Sequence, residues 1–414
     1  MRSAAEEWRS GWPVVIASAM GIYLSVTHTY TLGLFIQPIE RETGWGRETI
    51  TSGALIVAVI AFFVVPAVGS LLDRLSVRRV ALPGVAAYCL CLAALGFAGP
   101  GVVSWMLTWV ALGIAYCFIS TPIWTAAPVS RFDRSRGMAL AVTLLGTAVC
   151  ALTLPMAVNA LIDHLGWRHA FMALAGTLFL IVFPVILFGL HDARSRPASP
   201  GSEAAAGPVD RPEGLTIHQA IRSLSFWKMS IAAFLAVVGL LGLTVHFVPI
   251  LTGHGLNRTA AAGFASAVGV GGILGRLITG WCLDRFSGAL VAAIAFALPV
   301  TACLLLLFGQ VPIAFLAAAV LLGFSLGAEV DVMAYITGRY FGLRNYGALF
   351  GFVAGCLTLG AGIGPFLAGF IYDHTGGYGA FLTVQIFTFL VAAALVGSLG
   401  RYPEWSPPIV SEIP

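Results

Sequence analysis

Runs of about twenty apolar residues recur along this chain, separated by short polar stretches. About twenty helical residues cross the roughly 30 Å hydrocarbon core of a bilayer. Backbone groups in lipid must be satisfied within the structure, so only helices or closed barrels can span it. Barrel strands would show short alternating segments, and these runs do not alternate. The expected fold class is therefore an all-α membrane protein. Composition agrees: 59% of the 414 residues are hydrophobic and 10% are charged, against about 25% charged in an ordinary soluble domain. The first run lacks a small-residue cleavage site and reads as a retained span.

Twelve spans are expected, near 12–38, 50–72, 79–99, 102–127, 137–161, 168–190, 226–252, 260–283, 288–309, 311–335, 346–372 and 379–400. The longest connection, 191–225, is rich in Pro, Gly, Ser and Ala and reads as a flexible linker. It divides the chain into a six-helix bundle over 1–190 and a second over 226–414, which ends in a short tail.

Of the 22 basic residues, seventeen fall on the side that holds both termini and the linker. Arg41, Arg47, Arg168 and Arg258 fall on the other side, and Arg276 lies inside a span. Positive charge is retained on the cytoplasmic side, so both termini are expected in the cytoplasm of a multi-pass inner or plasma membrane protein. The net charge of +4 thus orients the chain in the bilayer and implies no nucleic-acid partner. The seven cysteines (89, 91, 117, 150, 282, 303 and 356) lie within apolar runs without metal-ligand spacing. They read as small core residues, with no metal or cofactor expected. The chain has no GxxxxGK[ST] or HExxH motif and no recognisable nucleophile, so an ATP-driven pump or a hydrolase is not expected.

The two halves read as copies. Pro38, Gly44 and Arg47 match Pro249, Gly255 and Arg258, each 211 residues on. Gly69, Asp73 and Arg74 match Gly280, Asp284 and Arg285 at the same offset. Gly137, Pro155, Asp163, His164, Ala170 and Phe171 match Gly347, Pro365, Asp373, His374, Ala380 and Phe381, each 210 residues on. Six spans per half is an even number, so both copies have the same topology. A pseudo-two-fold axis along the membrane normal and a binding site between the halves follow.

The stretch GSLLDRLSVRR (69–79) resembles the loop signature of the major facilitator superfamily, and GWCLDR (280–285) resembles its weaker second copy. The resemblance implies a twelve-helix facilitator fold, gated at one membrane face by Gly69, Asp73, Arg74, Arg78, Asp284 and Arg285. Glycine lets helix ends pack closely, while Asp and Arg tie a loop to its neighbouring helix. LGLFIQPIERETGWGRETI (32–50), HFVPILTGHGLNRTAAAG (246–263), GILGRLITGWCLDR (272–285) and GAEVDVMAYITGRYFGLRNYG (327–347) are similar to bacterial relatives of monocarboxylate transporters and oxalate/formate antiporters. That resemblance implies a small organic anion, often moved with a proton. It also marks two departures. Gly272 stands where those transporters carry an acid four residues before the span-eight arginine, and Tyr30 stands where they carry a span-one lysine.

Charge inside a bilayer costs about 2.5–3.5 kcal/mol on the lowest scale, so each intramembrane ionisable group is a functional candidate. Arg276 lies eight residues before Asp284, roughly 12 Å inside span eight. Its planar fork suits a carboxylate, while pairing with Glu329 is the structural alternative. Glu329 lies ten residues before Arg339, roughly 15 Å inside span ten. Asp331, about 200° around the helix from Glu329, cannot face the same cavity squarely. Glu329 is expected in the cavity and Asp331 in a charge network with Arg339, with the opposite division as the alternative, both as proton-coupling candidates together with His28. A substrate anion competing for Arg276 would release Glu329 to take a proton. His246, Tyr30 and Tyr116 are further substrate-binding candidates, and Trp124 and Tyr335 are aromatic neighbours. A lone His on an apolar face is otherwise a satisfied core residue. Asp163 and Asp373, at the matched outer ends of spans five and eleven, read as structural.

The expected function is secondary transport of a small organic acid anion, a monocarboxylate or an aromatic acid, by alternating access with H+ as partner and a functional monomer. Efflux of drugs or metabolites is the alternative, weakened because Pro155 in span five lacks a preceding glycine series. A non-transporting metabolite receptor is a third reading, but the short tails leave little room for a signalling domain.

Overall fold

The computed structural model describes residues 4–72, 75–132, 135–190, 214–342 and 344–403. Asp73, Arg74 and most of the expected linker lie outside these residues. Eleven helices are long and apolar enough to cross a membrane. One of them, Arg136–Gly189, accounts for two crossings. Its backbone leaves helical geometry at Gly166 (φ 75°, ψ 162°), which a residue with a Cβ rarely adopts. Gly146 packs on Ala19 and Ile22, while Gly189 packs on Pro13 and Ala17. A straight helix would separate those two glycines by about 65 Å. The chain therefore doubles back at Gly166, and twelve crossings result.

The first crossing is longer than expected and broken. It runs Ala4–Ser25 and resumes as Thr27–Thr43. At the break the hydroxyls of Ser25 and Thr27 donate to the carbonyls of Ile22 and Tyr23, competing with the helical ladder. Gly44 in the left-handed region (φ 71°) ends the crossing, its N–H reaching Glu40 O at 2.9 Å. The fourth crossing is broken too, into Val102–Cys117 and Thr121–Arg131, with Pro122 in the first turn of the second piece. Trp124 donates its indole N–H to Ile119 O at this break, at 2.6 Å. The expected linker ends early. A helix Ile217–Arg222 starts on a capping box between Thr216 and Gln219, and the seventh span, Leu224–Gly253, follows it.

The remaining spans are the second, Arg47–Leu72, and third, Val77–Ala94; then the eighth, Arg258–Leu283, and ninth, Gly288–Phe308; then the tenth, Pro312–Phe341, eleventh, Tyr346–Thr375, and twelfth, Gly379–Gly397. Across the two sides of the linker, the second span packs on the eleventh, the fifth on the eighth and the first on the seventh. This exchange matches the internal repeat, because each pair joins a span to the other half.

Candidate binding site between the halves

Spans eight and ten approach through glycine. Gly271 and Gly275 lie on the backbone of Val320, Gly323 and Phe324, while Gly323 and Gly327 lie on that of Val268, Gly271 and Gly272. Each pair is four residues apart and so shares one helix face, which lets two backbones meet without side chains between them. Gly269 faces the other half instead, against Ala148 and Leu152 of span five.

This close packing brings Arg276 of span eight against span ten. Its Nε lies 3.2 Å from Asp331 Oδ2. The expected division of the acids is thus corrected: Asp331, not Glu329, is the ion partner of Arg276. One turn of helix rise separates Arg276 from Gly272, and Gly272 carries no side chain, so the guanidinium reaches span ten unobstructed. Glu329 is buried, and its Oε2 has no hydrogen-bond partner among the described residues. Arg276 Nη1 is likewise buried without one.

Arg276 lines a small recess between the halves. Tyr30, Thr147 and Ala148 form its wall from the first half, and Gly272 and Gly327 contribute from the second. The recess therefore offers one cationic fork, two hydroxyls and otherwise apolar walls.

Other candidates lie elsewhere. His28 is buried within the first half, its Nδ1 3.1 Å from the hydroxyl of Tyr88, with Tyr116 edge-on to its ring at 5.3 Å. His28 and Tyr116 are thus apart from the recess. Trp124 is fully buried behind Gly21. His246 is fully buried with both nitrogens engaged: Nε2 lies 2.9 Å from Pro365 O and Nδ1 2.7 Å from the Tyr378 hydroxyl. The carbonyl can only accept, so Nε2 carries the proton and Nδ1 accepts from Tyr378. His246 has no free nitrogen for a substrate in this conformation.

Sequence reading passed over the closure at the end away from the termini. Hydrogen bonds and ion pairs between the halves stand there. Gln37 bonds Thr252, Asn159 bonds Thr259, Arg258 pairs with Asp163, and Arg47 and Glu48 bond Asp373 and Tyr378. The repeat itself was the signal, since the matched arginines and acids meet across it.

The whole chain also matches known proteins. The family model of the Major Facilitator Superfamily matches residues 14–310 and 289–412. The chain belongs to the major facilitator superfamily. Among its relatives in the superfamily, human Monocarboxylate transporter 11 is 30% identical over 400 residues, covering 93% of this chain and 80% of that protein. A Gallate transporter of Pseudomonas putida is 28% identical over 248 residues, covering 49% of this chain and 54% of that protein. A bacterial homologue of the human lysosomal transporter Spinster, solved in an inward-facing and occupied conformation, superposes with TM-score 0.69 at 16% identity. That superposition covers 98% of this chain and 100% of the other. The chain is a multi-pass membrane transport protein rather than an enzyme, and it is similar to monocarboxylate transporters. Of the superfamily loop motif, Gly69 has open space where a side chain would stand. Asp284 and Arg285 are exposed, and Arg285 folds back on Trp281, 4.1 Å from its ring. Among the described residues, Arg78, Asp284 and Arg285 make no hydrogen bond or ion pair to the opposite half.

Proposed function

We propose that this transporter carries a small organic acid anion, a monocarboxylate or an aromatic acid, by alternating access and together with a proton. One observation carries the reading. Arg276 places a half-buried guanidinium at the recess between the halves, bound to Asp331 on one edge and with Nη1 buried and unpartnered. A carboxylate fits that fork with two hydrogen bonds. Tyr30 of the first half lines the same recess, so a bound acid would touch both halves and respond to their relative position. Apolar walls suit a hydrocarbon or aromatic body. The names of two relatives, a monocarboxylate transporter and a gallate transporter, support an acid as cargo.

The ion pair supplies a coupling scheme. A carboxylate taking Arg276 displaces Asp331, and the released acid takes a proton. Glu329 on the same span is the second acid that can hold it. The positive bias of the terminal side puts the termini in the cytoplasm of a plasma or inner membrane. The bonded end then faces outward, and the opposite end is the one that opens to the cytoplasm in this scheme. The two halves, 1–190 and 226–414, would rock about the recess within a single functional chain.

Thermal stability of the purified protein and of Arg276→Ala, across carboxylates from acetate and oxalate to gallate, tests the cargo. A ligand of the folded state adds about 2.7 kcal/mol at a hundredfold its Kd. Stabilisation of the wild type alone is the expected result. A shift by a cationic or neutral compound, with none by any acid, would overturn the reading.

A further inference from the structure

The closure at the end away from the termini repeats one design twice. Arg47 and Arg258 are repeat copies, and so are Asp163 and Asp373. Each acid ends a span in one half and reaches the start of a span in the other. Asp163 pairs with the Arg258 guanidinium, supported by Asn159, whose amide donates to Asp163 Oδ2 at 2.9 Å and to Thr259 Oγ1 at 3.1 Å. Asp373 instead takes the N-terminus of span two. The N–H groups of Arg47 and Glu48 donate to its Oδ1 and Oδ2 at 3.1 and 2.8 Å. A carboxylate there satisfies two of the four N–H groups that a helix start leaves unpaired, and it meets the positive end of the helix dipole.

Arg47 is free to do something different because Asp373 has bonded its backbone. Its guanidinium holds Glu40 at 3.1 Å, donates to the Tyr378 hydroxyl at 2.8 Å and lies 3.6 Å over the Tyr372 ring. Tyr378 in turn donates to His246, and His246 donates to Pro365 O. One chain of bonds thus ties span two to spans seven and eleven. Gly369 lets span eleven lie directly on the backbone of Arg47 and Glu48.

We infer that Asp163 and Asp373 are two exchanged latches that hold this end shut, and that Asp373 is the stronger. The Asp163 pair is partly exposed, with side chains 22% and 43% accessible, and such pairs contribute little. Asp373 is exposed as well, but it holds two backbone N–H groups at the start of span two beside Arg47, whose side chain is only 7% accessible. Release of Asp373 frees both the start of span two and the Arg47–Tyr378–His246 chain, and the end opens. This inference rests on alternating access but not on the identity of the cargo.

Hydrogen exchange of the full chain, without substrate, reads it directly. The variants are Asp373→Asn, Asp163→Asn and Tyr378→Phe, each nearly isosteric so that folding is retained. Asp373→Asn should speed exchange at least about threefold over 44–52 and 246–262, and slow it over 62–72 and 346–356 as the other end closes. Tyr378→Phe should act in the same direction, and Asp163→Asn by less than about twofold. Unchanged exchange over 44–52 in Asp373→Asn overturns the latch. Faster exchange there without protection at the other end would mean local fraying, and would overturn alternating access as well. An Asp163→Asn effect as large as that of Asp373→Asn overturns the ranking. A protein in which no carboxylate binds would leave all these readings intact.

Discussion

Arg276 and Asp331 meet across spans eight and ten with Nε and Oδ2 3.2 Å apart. The two glycine pairs place them there, because Gly271, Gly275, Gly323 and Gly327 remove every side chain between the backbones. The guanidinium keeps its second edge toward the recess, so the pair is half-committed. A half-buried ion pair whose guanidinium keeps Nη1 without a partner is a weak source of stability. It is well suited to exchange one carboxylate for another.

That exchange predicts opposite effects on binding and coupling. Asp331→Asn removes the charge that competes with a bound anion. The Kd for a carboxylate should fall about tenfold, or about 1.4 kcal/mol, while uptake loses its dependence on a proton gradient. Calorimetry together with proteoliposome uptake at two gradients checks both. If Asp331→Asn retains gradient-driven accumulation and Glu329→Gln loses it, the proton is carried by Glu329 instead.

Arg276→Lys keeps the charge and loses the planar fork. A lysine reaches as a point charge and cannot hold Asp331 and a carboxylate in the same bidentate manner. Anion affinity should fall by at least about tenfold, since a charge-assisted hydrogen bond contributes about 1.5–3 kcal/mol. Retention of wild-type Kd in Arg276→Lys would show that the fork is not what recognises the acid.

The spans were legible because each is an apolar run of bilayer length. The turn at Gly166 falls in the expected gap between 161 and 168, but the break at Val26 was not legible, since it depends on a few local bonds within a continuous apolar stretch. Arg276 was legible as a lone charge inside a span. Its partner was not: Glu329 and Asp331 are both acids on one helix, and only the glycine-set rotation of span ten decides which meets Arg276. Asp163 and Asp373 looked structural from sequence because each ends a span. Their reach into the opposite half follows from the repeat only once the halves are packed together.

The glycine contact itself is testable. A Cβ at Gly275 would meet the backbone of Phe324, which cannot rotate aside as a side chain can. Gly275→Val should therefore destabilise the protein by about 1–3 kcal/mol and push span ten away from Arg276, lowering uptake. Gly280, five residues on, has open space around it. Gly280→Ala should be neutral or stabilising by up to about 1 kcal/mol through helix propensity. Melting temperatures of the two variants separate a packing role from a general intolerance of span eight.

His246 separates closure from cargo binding. Its ring accepts from Tyr378 and donates to Pro365 O, with no nitrogen left for a ligand. His246→Ala leaves the Tyr378 hydroxyl proton and the Pro365 carbonyl without that partner in a buried setting, each costing about 1–3 kcal/mol. The expected result is a lower melting temperature, faster exchange at the end away from the termini, and an unchanged Kd for the carboxylate. The recess is lined by Tyr30 and Arg276 and not by His246, so affinity has no direct route to change. A Kd weakened tenfold in His246→Ala at unaltered melting temperature would return His246 to the substrate and remove it from the closure.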